Sequence, residues 1–319
     1  MNTIDTPDTE IIDVLRAAVQ PIDPHDTMAE AGRKALLRDF VRMLEHEAGR
    51  KTGADIEDVH QMRVSTRRMR SALRLLEPYY KVKPVRVFRA QLQKIADALG
   101  EVRDLDVMID NLSQFQAHHN AHLDGAIALL DTERQAARVD LVRVLAKKSY
   151  ARFIGKFADF LTTAGAGARS VDPDSVVPSQ LRHLLPTQVY EHLGAVRAYD
   201  AALEDGEATT LHALRIEFKR LRYLVHFFSE IMGSSANDFL KELKAIQDHL
   251  GTMQDIQVAS DRLEDLMPDL DDEDAAGLSA YLDALNAQLE ALDASFPQVW
   301  KRFNSATIQR KLASALVAL

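Results

Sequence analysis

DVHQMRVSTRRMRSAL (residues 58–73) and TLHALRIEFKRLRYLV (residues 210–225) are one pattern written twice. At a constant offset of 152, His60 matches His212, Arg63 matches Arg215, Arg67 matches Lys219, Arg68 matches Arg220 and Arg70 matches Arg222. Downstream, LQKIADALGEVRDLDV (92–107) lies over LKAIQDHLGTMQDIQV (243–258) at an offset of 151. Leu92, Ile95, Asp97, Leu99, Gly100, Asp104 and Val107 there recur as Leu243, Ile246, Asp248, Leu250, Gly251, Asp255 and Val258. Two blocks in the same order, with offsets one residue apart, mark an internal duplication.

The rest of the chain reads as helix. Ala, Leu, Arg and Glu recur at helical spacing, and the alternation of β-branched residues that signals strands is almost absent. The periodicity predicts helices over 28–50, 55–77, 84–99, 101–117, 121–148, 150–163, 187–204, 208–231, 235–250, 252–266, 274–293 and 296–317. The small residues and prolines of TTAGAGARSVDPDSVVPSQ (162–180) interrupt the pattern and mark a linker. MPDLDDEDAAG (267–277) reads as an acidic loop leading into a helix. The expected organisation is an all-α chain: an N-terminal extension over 1–26, a first bundle over 27–164, a linker over 165–186 and a second bundle over 187–319. Each bundle is expected to hold about four helices.

Composition bounds the function. The 319 residues carry a net charge of −9 and no cysteine, which excludes disulfides, thiolate metal sites and cysteine nucleophiles. No charged and then apolar leader opens the sequence, and no apolar run approaches membrane-spanning length, so a cytoplasmic location is expected. Yet residues 59–94 gather ten Lys and Arg against the acid Glu77. An acidic protein with one strongly basic surface meets a polyanion locally rather than over its whole face.

Helical geometry arranges those cations. At about 100° per residue, His60, Arg63, Arg67, Arg70 and Arg74 fall within an arc of about 80°. Met62, Met69, Leu73 and Leu76 form an apolar strip beside them. His212, Arg215, Lys219, Arg222 and His226 make the matching file in the second copy, beside Leu214, Phe218, Leu221 and Val225. Arg68 and Arg220 point about 100° away from the files, which suits anchoring of neighbouring helices. Three readings of a file of cations next to a packed strip stay open at this level. It is a solvated or ion-paired structural face, a groove for a chain of phosphates, or an enzyme site with His60 and His212 as acid and base.

The residues also resemble a known family. Histidine, two residues, arginine, three residues, two basic residues, one residue and arginine, present twice with LG and RD or QD downstream, is similar to the conserved histidine alpha-helical domain, CHAD. The resemblance runs from about residue 28 to the C-terminus. It implies two four-helix bundles related by a pseudo-twofold axis, with basic grooves near their junction. It also implies binding of inorganic polyphosphate, with no cofactor and no catalysis by the domain. On the matching positions the binding surface would take in His60, Arg63, Arg67, Arg70, His212, Arg215, Lys219 and Arg222. Arg74, Arg86, Arg89 and Lys94 extend it in the first copy and Lys244 in the second.

The copies differ, and binding is therefore expected to be asymmetric. His226 replaces Arg74, and the run Lys81, Lys83, Arg86, Arg89, Lys94 has no equal in the second half beyond Lys241 and Lys244. Asp104 and Asp255 suit structural partners of nearby arginines. His118 and His122 stand at i, i+4, a spacing at which two imidazoles can share a metal, but without the glutamate of an HExxH motif, and no metal is expected. Glu45 and Glu47, the nearest string to the acidic strands of triphosphate-cleaving tunnel domains, lie in a helical stretch, and no Walker loop or nucleophile elbow is present. The rivals to a polyphosphate-binding module are a nucleic-acid binder, for which only Tyr79, Tyr80 and Phe88 offer rings near the first file, and a scaffold that docks an acidic protein tail. Association with polyphosphate granules and their proteins is in keeping with the resemblance.

Overall fold

A computed structural model describes residues 9–49, 56–171, 176–205 and 208–319. The beginning of the expected N-terminal extension, the onset of the helix expected at 55 and the centre of the expected linker (172–175) lie outside the described residues. The helices are α1 Thr9–Ala17, α2 Met28–Gly49, α3 Ile56–Leu75, α4 Val82–His119, α5 Asp124–Ala146 and α6 Lys148–Thr162. They continue as α7 Leu181–Arg197, α8 Ala208–Phe227, α9 Ser235–Glu264, α10 Asp272–Phe303 and α11 Ala306–Leu316. Among the described residues the extended backbone pairs only at two isolated bridges, Thr27 with Gln180 and Tyr80 with Ala168. None of their helices is long and apolar enough to cross a membrane.

The two repeats lie on matching pairs of helices. The basic stretches form α3 and α8, and the LG blocks lie within α4 and α9. α3 packs against α2 and α4, α8 packs against α7 and α9, and α3 and α8 pack on each other where the halves meet. Both predicted apolar strips are buried: Met62, Met69, Leu73 and Leu76 on α3, Leu214, Phe218, Leu221 and Val225 on α8. The main core draws on both halves, from Ile12 to Leu316. A second, distal core gathers Leu105, Leu112, Leu130, Leu263, Leu278 and Leu285 from the far ends of α4, α5, α9 and α10.

Several boundaries differ from the sequence reading, each for a physical reason. α4 and α9 run unbroken through Gly100 and Gly251, where breaks were expected. Leu99 and Val102, and Leu250 and Met253, are buried on either side, and that burial outweighs the roughly 1 kcal/mol cost of a helical glycine. α10 runs through Pro297 to Phe303, and the short α11 follows. One turn before Pro297, the Leu292 carbonyl accepts from the Ser295 hydroxyl at 3.0 Å and meets His249 Nε2 at 2.9 Å. α7 begins at Leu181, inside the expected linker, because the 24–26 segment caps it. Leu181 and Arg182 donate their amides to the Asp26 and Pro24 carbonyls at 2.7 and 3.0 Å. α1 adds a helix where only an extension was expected, and buries Ile12 and Leu15 in the main core.

Candidate functional site

A cleft of about 700 Å³ opens where α3, α4 and α8 meet. α3 contributes Arg67, Arg70 and Arg74, α4 contributes Arg86 and Arg89, and α8 contributes Lys219 and Arg220. Against these seven cations stands Glu77. Glu77 is bound to Arg89 Nη1 at 2.6 Å, and Arg220 is held by Glu217 one turn earlier at 2.5 Å. Arg70 donates to the side-chain oxygen of Gln93, which in turn donates to Asp97. Among the described residues Arg67, Arg70, Arg74, Arg86 and Lys219 have no carboxylate within ion-pair distance. Like charges at this spacing repel, and an anion placed among them would relieve the repulsion.

The electrostatics show how crowded the junction is. Lys219 is pushed down to about 8, first by burial and then by the positive fields of Arg215 and Arg67, with Arg63 adding to them. Burial likewise lowers Arg70 and Arg215 from the ordinary guanidinium value. Arg63 and Arg67 of the first file therefore stand within electrostatic reach of Lys219 of the second, and Arg67 of Arg215, across the contact of α3 with α8.

The next ring outward is built from matched pairs. Arg63 reaches Asp104 at 3.0 Å, and its counterpart Arg215 reaches Asp255 at 3.4 Å. A Cβ on Gly100 would lie 4.0 Å from Arg63 Nε, and one on Gly251 would lie 4.0 Å from Arg215 Nε. Each glycine thus leaves an open bed beside its arginine, which ordinary van der Waals spacing would let an alanine share. Asp104 and Asp255 act as structural partners of arginines.

Of the residues expected at the site, the structure brings Arg67, Arg70, Arg74, Arg86, Arg89 and Lys219 into one cleft. Arg63 and Arg215 stand within electrostatic reach of Lys219. His60, Lys94, His212, Arg222 and Lys244 lie outside the lining. His60 is half-buried and lowered by burial and by Arg103, Arg63 and Arg67, which leaves its ring neutral at pH 7. His212 is exposed, with Nδ1 2.5 Å from the Gln254 side-chain oxygen. Arg222 lies over the Tyr223 ring at 5.7 Å, and Lys244 pairs with Asp248 at 3.4 Å. Lys94 is exposed, one residue and about 100° from the cleft-lining Gln93. His226 is pushed down to about 4 by burial and by Arg68, Arg222 and Arg42.

Arg68 does anchor a neighbouring helix, with Nη1 3.6 Å from buried Asp39 of α2. Arg220, its counterpart, lines the cleft instead of turning away. Ser71, Gln93 and Tyr223 also line it, beyond the predicted set. The α8 residues in the cleft are Ile216, Lys219, Arg220 and Tyr223, a face turned from the predicted file and sharing only Lys219 with it. A wheel drawn for one helix at a time carries no signal for that rotation, because the crossing of α3 and α8 sets it. His118 and His122 take separate partners: α4 ends at His119, Asn120 is left-handed (φ 51°), and His122 lies 3.2 Å from Glu273.

Comparison with known proteins places this architecture. The crystal structure of the CHAD domain from the plant Ricinus communis superposes with a TM-score of 0.65 and 25% identity, over 94% of this chain and 95% of that one. PptA from Streptomyces chartreusis has the same fold, with a TM-score of 0.61 and 18% identity over 87% of this chain and 99% of its own. The uncharacterized protein Rv2226 of Mycobacterium tuberculosis is 29% identical over 251 residues, 76% of this chain. A second M. tuberculosis protein, MT2285, is 28% identical over the same length. The chain spans about half the length of these two curated relatives, 45% of each. The CHAD domain family model matches residues 34–264, which is 231 of the 319 residues. The chain belongs to the CHAD family.

Proposed function

We propose that the protein binds inorganic polyphosphate in the cleft between α3, α4 and α8, without catalysing a reaction on it. The observation that carries this reading is the cleft's seven cations against one acid, five of them without a carboxylate partner among the described residues. A chain of phosphates presents repeated oxygens to which guanidinium groups donate paired hydrogen bonds. Affinity then grows with chain length as contacts accumulate, and falls with salt as counterion release loses its drive. The matched Arg–Asp pairs and glycine beds support two helical bundles related by a pseudo-twofold, with the cleft at their junction. Location in the cytoplasm, at polyphosphate granules and their proteins, accords with such a ligand.

The cleft favours phosphate chains over nucleic acid. Tyr80 and Phe88 are buried in the main core, and the Tyr79 hydroxyl accepts from Gln188 at 2.5 Å. The cleft's own ring, Tyr223, is 4% exposed, so no base can stack on it. The test is titration with long-chain polyphosphate, orthophosphate and single-stranded DNA at low and moderate salt. We expect polyphosphate to bind most tightly, in proportion to length, and to displace DNA. Equal or tighter binding of DNA overturns the ligand assignment, and no binding of any of them returns the cations to a structural role.

A further inference from the structure

Tyr223 is the odd group in this cleft. The residue is 4% exposed, with its ring stacked on Phe227 at 5.9 Å and capped by Arg222 at 5.7 Å. Its hydroxyl oxygen is buried and meets no hydrogen-bond partner. Buried phenol hydroxyls ordinarily find one, since an unmet donor loses the water it gave up. The residue lines the cleft beside Arg70 and Lys219, and its oxygen lies within electrostatic reach of Arg70 on α3 and Arg215 on α8. At the repeat offset of 152 its counterpart is Ser71, which lines the same cleft. The two repeats thus bring a serine and a tyrosine from matched positions to one cleft.

We propose that the Tyr223 hydroxyl is a fixed, uncharged donor to a phosphoryl oxygen seated between Arg70 and Lys219. The inference rests on the polyphosphate reading and assigns one place within it. A group surrounded by cations and lacking a partner is matched by an anionic acceptor, and the ring packing holds the hydroxyl in place before the ligand arrives. Because the donor is neutral, it releases no counterion. Its contribution is independent of salt, whereas each arginine contact adds to the salt slope.

The test compares the unmutated protein with Tyr223→Phe, using tripolyphosphate and long-chain polyphosphate over a salt series, with thermal melts of the free proteins. We expect Tyr223→Phe to melt at or above the unmutated Tm, since an unmet buried hydroxyl has gone. We expect it to bind both ligands about tenfold more weakly, by the usual worth of a hydrogen bond to a charged group, with an unchanged salt slope. Binding equal to the unmutated protein overturns the assignment. So does a lower Tm, which would mean that the hydroxyl already has a partner inside the fold. If the unmutated protein fails to bind either polyphosphate, the cleft reading falls and takes this inference with it. If it binds and Tyr223→Phe matches it, only the donor assignment falls.

Discussion

The two copies share a helical frame and use it differently. In the first, α3 and α4 together supply five arginines to the cleft. In the second, α8 supplies Lys219 and Arg220, while α9 contributes nothing to the lining. The positions matching Arg86 and Arg89 at the offset of 151 are Asn237 and Leu240, and the position matching Arg74 is His226, a ring held neutral by burial and nearby arginines. What recurs in both sequence repeats is the buried strip, the glycine beside the arginine and the Arg–Asp pair. The cleft itself is one-sided, so charge density belongs to one copy and the opposing wall to the other.

The largest effect should come from breaking the richer side. Reversing Arg67 and Arg74 together, R67E with R74E, is expected to weaken polyphosphate binding on the order of a hundredfold at low salt and to flatten the salt slope by about two. Neither residue holds an ion pair among the described residues, so far-ultraviolet circular dichroism should stay unchanged. Reversing two lysines of the second copy that lie outside the cleft and hold surface ion pairs, K241E with K244E, should cost less than about threefold by the same reasoning. Equal losses from the two pairs would mean that binding is symmetric.

A smaller effect comes from pH, through the one cation shared between the second file and the cleft. Lys219 is lowered to about 8 in the folded protein, against an ordinary value near 10.5. A bound polyanion favours the charged form, so the complex keeps a proton that the free protein loses above pH 8. Affinity should be full below about 8 and decline above it, and the decline should vanish in Lys219→Arg. A flat profile between pH 7 and 9 in the unmutated protein would remove Lys219 from the contact. Smallest of all, His226→Arg restores the missing cation of the second file, and by one-sidedness it should tighten binding by no more than about twofold. A large gain would show that a second groove waits on that face.

The sequence carried the helical class and the repeat, because periodicity and spacing are local properties. It carried the α3 side of the cleft too, since Arg67, Arg70 and Arg74 share one face of a single helix. What it hid depends on partners far along the chain. The onset of α7 is fixed by carbonyls about 155 residues upstream, and the continuity of α4 through Gly100 by burial on both sides. Arg220 and Tyr223 enter the cleft through the rotation of α8 against α3, which no single-helix wheel contains. Lys94 turns away from the lining along α4, one residue from Gln93, and Lys244 lies on α9, which takes no part in the cleft.

α4 also has a mechanical meaning. Its 38 residues span about 57 Å, with Arg86 and Arg89 near one end and the distal core at the other. Toward the far end Asp106, its side chain 1% exposed, is gripped by Arg134 at 3.4 Å and Arg138 at 3.3 Å from α5. The helix is a strut held at both ends, by this dry joint at one and by Val85, Phe88 and Leu92 in the main core at the other, where it presents Arg86 and Arg89. Repulsion that would splay a short helix or loop is resisted by bending stiffness, and the cations stand at fixed intervals before any ligand arrives.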